Sequence, residues 1–150
     1  MRWFLALILS LVVGVSAVEA AKTARIIKVL PHLLDAKGRH SLSPSLYERD
    51  AYQEHLRKNP DLCSAMRFDI HWAGLGLKRD SLKLRMELRV SGETKSLVID
   101  EAIKPGNLSG HWSQITLSGE NFKKAGKLVA WRATLWEGDE QVAELKSFLW

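Results

Sequence analysis

The densest gathering of chemically able side chains falls between residues 39 and 55: Arg39, His40, Ser41, Ser43, Tyr47, Glu48, Arg49, Asp50, Tyr52 and His55. A hydrolase needs a nucleophile, a base and a group that orients the base, all within hydrogen-bond reach. Ser41 directly follows His40, and adjacent side chains diverge. No Gly-x-Ser-x-Gly elbow surrounds it. Glu48 and Asp50, two apart on a helix, project about 200° from each other and cannot work as an acid–base pair. A small secreted hydrolase is therefore the weakest functional reading. The cluster reads instead as a contact surface, with Arg39, His40, Tyr47, Arg49 and Asp50 as the binding residues, because recognition concentrates where polar groups ride on a loop held by a rigid scaffold.

The five histidines are His32, His40, His55, His71 and His111. None stands in a His-x-x-x-His or Glu-x-x-His pair, and there is no cysteine pair. The spacing predicts neither a metal nor another cofactor, although His32 and His40 can meet across a loop. A second candidate surface is aromatic. Trp112, Trp136 and Trp150 lie at strand ends and would serve a carbohydrate-binding module if they were exposed in one plane, with their rings stacked on sugars. Trp72 and Trp131 fall on inward positions, where large aromatics build cores. Lys83, Arg85, Arg89 and Arg132 form either a basic stripe suited to acidic glycan or one side of a cross-strand ion-pair network with Glu87 and Glu144.

The formal charge of +5 is a mild excess that keeps a protein soluble and draws acidic partners over long range. Nucleic acid is not expected: no aromatic–basic signature accompanies the charge. Met1 and Arg2, an apolar run over residues 3–13, and Val18-Glu19-Ala20 have the form of an export leader spanning 1–20, with cleavage before Ala21. The run is short for a bilayer span, and no second one follows. Residues 21–150 then form one domain, large enough for an unstapled core. Cys63 is the single cysteine. It is either a buried small side chain or a link between two chains.

Hydropathy alternation supplies the elements that would carry these residues. Leu82, Leu84, Met86, Leu88 and Val90 alternate with Lys83, Arg85, Glu87 and Arg89, the two-residue period of a half-buried strand. Met66, Phe68, Ile70 and Trp72 alternate with Arg67, Asp69 and His71. Further strands are expected at 23–30 (stopped by Pro31), 96–103, 112–117, 127–136 (Val129, Trp131, Ala133 and Leu135 inward) and 141–150, with a turn at 105–107. About seven short strands with turn signals between them predict an all-β fold, a two-sheet antiparallel sandwich of immunoglobulin or fibronectin type III kind. One helical insertion, within 32–63, separates the first two strands. Its helix is expected at 46–58, entered through a Ser45/Glu48 capping box and ended by Asn59-Pro60. Tyr47, Ala51 and Leu56 are expected to lean on the sheet.

The segments Ile-Lys-Val-Leu-Pro-His-Leu-Leu-Asp at 27–35, Gly38-Arg39-His40, Leu-Ser-Pro-Ser-Leu-Tyr-Glu-Arg-Asp-Ala-Tyr at 42–52 and Lys-Ser-Phe-Leu-Trp at 146–150 resemble a family of small exported bacterial proteins with no assigned role. The resemblance implies a bacterial exported protein and brings no activity, ligand or site residue with it. The sequence thus predicts a non-catalytic binding or structural module, periplasmic or extracellular, that contacts a protein or another envelope component.

Overall fold

The computed structural model describes residues 22–103 and 111–150. The expected leader over 1–20, its cleavage point and the turn at 105–107 lie outside the described residues. Seven strands and two helices follow in the order β1 (Thr23–Asp35), α1 (Leu46–Lys58), β2 (Cys63–Leu75), β3 (Leu82–Val90), β4 (Leu97–Ala102), β5 (His111–Ser118), α2 (Gly119–Ala125), β6 (Leu128–Glu137) and β7 (Glu140–Lys146). They form two antiparallel sheets, β1-β2-β5 and β4-β3-β6-β7, packed as a β-sandwich. Each sheet has one oily face, and only stacking the two hides both from water.

The core follows from strand parity. Phe68, Ile70 and Trp72 on β2, with Ile115 beside them on β5, form one buried cluster with Leu84, Met86 and Leu88 on β3 and their neighbours Ala133 and Leu135 on β6. Each large side chain buried there contributes about 2 kcal/mol. The Trp72 indole N–H still needs a partner, and it donates to Ser113 Oγ at 3.0 Å. Glycine is required where β3 turns toward β4: a Cβ on Gly92 would stand 2.1 Å from the Lys124 carbonyl oxygen. There the Gly92 N–H bonds Ala125 O at 2.8 Å, tying the turn to the end of α2. Gly138, with φ +59°, opens the two-residue β6–β7 hairpin, a position that favours glycine.

Among the strand expectations, those at Pro31 and Val129 fail for local reasons. β1 does not stop at Pro31 but runs to Asp35. It is an edge strand, so Pro31 can present its missing N–H on the unpaired side. A register shift at Ile27 then sets the phase that faces His32 outward with Arg67. On β6, Val129 is half exposed because the ladder slips there: Arg89 pairs with Ala130, and Val90 with Leu128. Trp131, Ala133 and Leu135 keep their inward phase. Glu137 ends β6 and is buried; it accepts from Lys22 Nζ and from the Lys78 backbone N–H. These two donors hold its carboxyl below the usual range.

The helix occupies its expected bounds. Ser45 Oγ accepts the Glu48 N–H at 3.5 Å, but no bond from the Glu48 side chain closes the box. Of the three side chains expected to pack, only Leu56 does so. Tyr47 is 84% exposed and Ala51 is exposed. Gln53 and Leu56 are the buried pair, with Leu56 fully so. Leu34 and Ala65, paired across β1 and β2 on the outer side of their sheet, are also buried and stand apart from the main core. The helix packs on β1 and covers this second, smaller apolar layer.

Candidate functional site

The insertion is fastened by two polar hubs. Gln53, buried on α1, accepts the Leu33 N–H at 2.8 Å and donates to the carbonyls of Leu33 (2.9 Å) and His40 (2.8 Å). One side chain so ties helix, strand and loop together. Asp35, at the end of β1, accepts the N–H groups of Lys37 (2.8 Å) and Arg39 (2.9 Å), the Arg39 Nε (2.8 Å) and the Tyr52 hydroxyl (2.8 Å). The Arg39 backbone donor, followed by the Tyr52 and Arg39 side chains, holds the Asp35 carboxyl well below the ordinary carboxylate range. In turn, the Asp35 bond raises the Tyr52 hydroxyl. Arg39 therefore latches the loop, with its side chain still nearly half exposed.

Beneath the insertion the outer face of β1-β2-β5 carries a second cluster. His32 and His40 approach to 4.9 Å between ring centroids. His32 Nε2 lies 3.4 Å from Asp69 Oδ2. Arg67 Nη2 donates to Asp69 Oδ2 at 3.0 Å and lies 3.2 Å from His40 Nδ1. Arg67 Nε and Asp69 Oδ1 are also 3.0 Å apart, yet both atoms are buried without a hydrogen bond, because the angle between them is poor. Burial, then the positive charges of Arg67 and Arg49, push the His40 ring below its ordinary pKa; burial also lowers His32, against the pull of Asp69.

The five predicted contact residues therefore part company. His40 joins His32, Arg67 and Asp69, with Arg49 close enough to act on both rings. Arg49 is also held by its neighbour Asp50 at 2.8 Å. Asp50 and Tyr47 point to solvent, and Arg39 belongs to the Asp35 hub. No nucleophile reaches His40, since the Ser41 hydroxyl donates to the Ser43 carbonyl at 2.5 Å. Among the described residues no group of three His, Cys, Asp or Glu side chains could hold a metal. Cys63 is half-buried, its thiol 3.5 Å from the Leu56 carbonyl. The sequence signalled part of this cluster through the shared face of Arg67, Asp69 and His71. It hid Asp35 and Gln53, which bond backbone groups that only the fold brings to them.

The three tryptophans do not share a plane. Trp136 and Trp150 lie on the outer face of β4-β3-β6-β7, over arginines. The Arg85 guanidinium sits 5.4 Å from the Trp136 ring centre, and those of Arg89 and Arg132 sit 4.3 and 5.0 Å from Trp150. Arg132 also grips Glu87 with two bonds of 2.6 and 2.8 Å, and Arg85 grips Asp100 with bonds of 2.7 and 2.8 Å. Of the two readings of Lys83, Arg85, Arg89 and Arg132, the cross-strand ion-pair network is the one that forms, with Arg89 set over the Trp150 ring.

Trp112 lies on the opposite sheet, 53% exposed. Its ring is stacked on His71 at 4.8 Å and 9°. In register, Lys28, His71 and Trp112 form one row across β1, β2 and β5, and Arg25 with Ala73 stands in the next row of the β1–β2 ladder. A shallow groove of about 240 Å³ lies at that end, lined by Thr23, Ala24, Arg25, Ala73, Gly74 and Leu75. Comparison of the chain with protein-family models, with curated proteins and with solved structures finds no match in any of the three. The site is read from its own chemistry.

Proposed function

We propose that the chain is an exported, non-catalytic binding module of fibronectin type III kind, which engages a component of the cell envelope through the outer face of β1-β2-β5. The leader-like segment at 1–20 supports export to the periplasm or beyond, as does the likeness to small exported bacterial proteins. The strand order supports the sandwich type: β4 pairs with β3, whereas the constant immunoglobulin arrangement places the fourth strand beside the fifth. One observation carries the choice of face. Trp112 is half exposed and stacked on His71, in the row of Lys28 and next to that of Arg25, which make no ion pair among the described residues, while the opposite face sets its tryptophans against its arginines.

The test is photo-crosslinking in cells that make the protein, with benzoylphenylalanine in place of Gln114 on the β1-β2-β5 face or of Val98 on the other. Adducts from position 114 and none from position 98 are expected. Adducts from position 98 alone, or none from position 114, would contradict the reading.

A further inference from the structure

Resting on that choice of face, we infer that its ligand is an acidic saccharide, with a pyranose ring laid on Trp112 and its anionic group held by Lys28 and Arg25. Three observations converge. The first is the platform. β5 is the edge of its sheet; His71 covers one side of the Trp112 ring, and among the described residues no further strand of that sheet stands beyond the other. A flat, half-wet indole suits the apolar C–H face of a sugar ring, and its stacking partner holds it in one orientation.

The second is charge. Arg39, Arg49, Arg57, Arg67, Arg85 and Arg132 each engage a carboxylate. Arg25 and Lys28 have no ion pair among the described residues, and no carboxylate lies in their two rows. The nearest acid on that face, Asp69, belongs to the next row toward the insertion and is committed to Arg67. A carboxylate or sulfate would complete these cations where the protein does not.

The third is shape. Strands about 4.8 Å apart place the Lys28 and Trp112 backbones about 10 Å from each other, room for a short oligosaccharide to lie across the row. The groove that Arg25 and Ala73 help to line lies in the adjoining row of the β1–β2 ladder, and Lys28, His71 and Trp112 are not part of its lining. Uronates and sulfated sugars present the same chemistry, a flat pyranose with a fixed anion.

Titration calorimetry of the purified chain with oligogalacturonate, with a heparin-derived sulfated oligosaccharide and with a neutral cello-oligosaccharide tests the inference and separates the two acidic sources. Binding to at least one acidic series is expected, at least about tenfold tighter than to the neutral one. Trp112→Ala should weaken it about tenfold or more. The Arg25→Ala/Lys28→Ala pair should remove the preference for acid, and Trp150→Ala should leave binding unchanged. Circular dichroism confirms that each variant is folded. No binding to either acidic series, or tighter binding to the neutral sugar, overturns the inference; adducts from position 114 would still uphold the binding face. Acidic-sugar binding lost in Trp150→Ala and kept in Trp112→Ala would overturn the face itself.

Discussion

On the outer face of β4-β3-β6-β7, Arg85 is held by Asp100, Arg132 by Glu87 and Glu144, and Arg89 by the Trp150 ring. On the outer face of β1-β2-β5, the end that carries Leu34 and Ala65 is buried, where α1 packs on β1. The other end shows Trp112, Lys28 and Arg25 to water. Both faces draw on tryptophan and basic residues, so composition does not separate them. Pairing does: carboxylates at Glu87, Asp100 and Glu144 satisfy the first face, whereas Asp69 on the second is committed to Arg67 and the histidines. A face whose cations are paired internally gains a little stability and offers them less to a ligand. On the other face water solvates the cations at little cost, which leaves them available to an anionic ligand.

The sharpest way to break this contrast is to uncover the rest of the second face. Leu56→Ala removes the one fully buried apolar side chain of the helix. It should cost about 3 kcal/mol, read as a lower urea midpoint, with new protease cleavage inside 36–62. Gln53→Leu keeps the volume but orphans the Leu33 N–H and two carbonyls. About 2 kcal/mol should be lost, with faster amide exchange at Leu33.

On the sealed face, Arg132→Ala removes a two-bonded ion pair and a ring contact from a partly exposed site, so the loss should be only about 1 kcal/mol. A salt series checks it, since the difference from the parent protein should shrink as ionic strength rises. The buried histidines should give a smaller signal. Their rings are depressed in the folded protein, so below the ordinary value of 6.5 the unfolded chain binds protons that the folded chain refuses. This contribution is present above 6.5 and is lost as pH falls through 6.5 toward the folded values. Urea midpoints should drop across that window, and the slope should flatten in His32→Asn/His40→Gln. Trp112→Ala should change stability least, by less than about 0.5 kcal/mol, because a half-wet edge side chain supports little of the core.

Much of the scaffold was legible in the sequence. The alternation over 66–72 and 82–90 is strict because each segment packs one face and wets the other, and the Ser45 cap and Asn59-Pro60 stop bound α1 as expected. Pro31 misled because a proline's effect depends on whether its strand has one neighbour or two. Val129 misled because a one-residue slip in the ladder reverses side-chain phase. Of the candidate site, His40 and Trp112 were legible as types of residue, but their surroundings were not. The Asp35 and Gln53 hubs bond backbone groups, which leave no residue pattern. The sealing of Trp136 and Trp150 by arginines depends on the β3–β6 register and on where the terminal turn folds back.

Acrylamide quenching of tryptophan emission in the processed chain tests the contrast between the faces most directly. The account predicts a readily quenched fraction that disappears in Trp112→Phe and persists in Trp150→Phe. A quenched fraction that survives Trp112→Phe and vanishes in Trp150→Phe would contradict it.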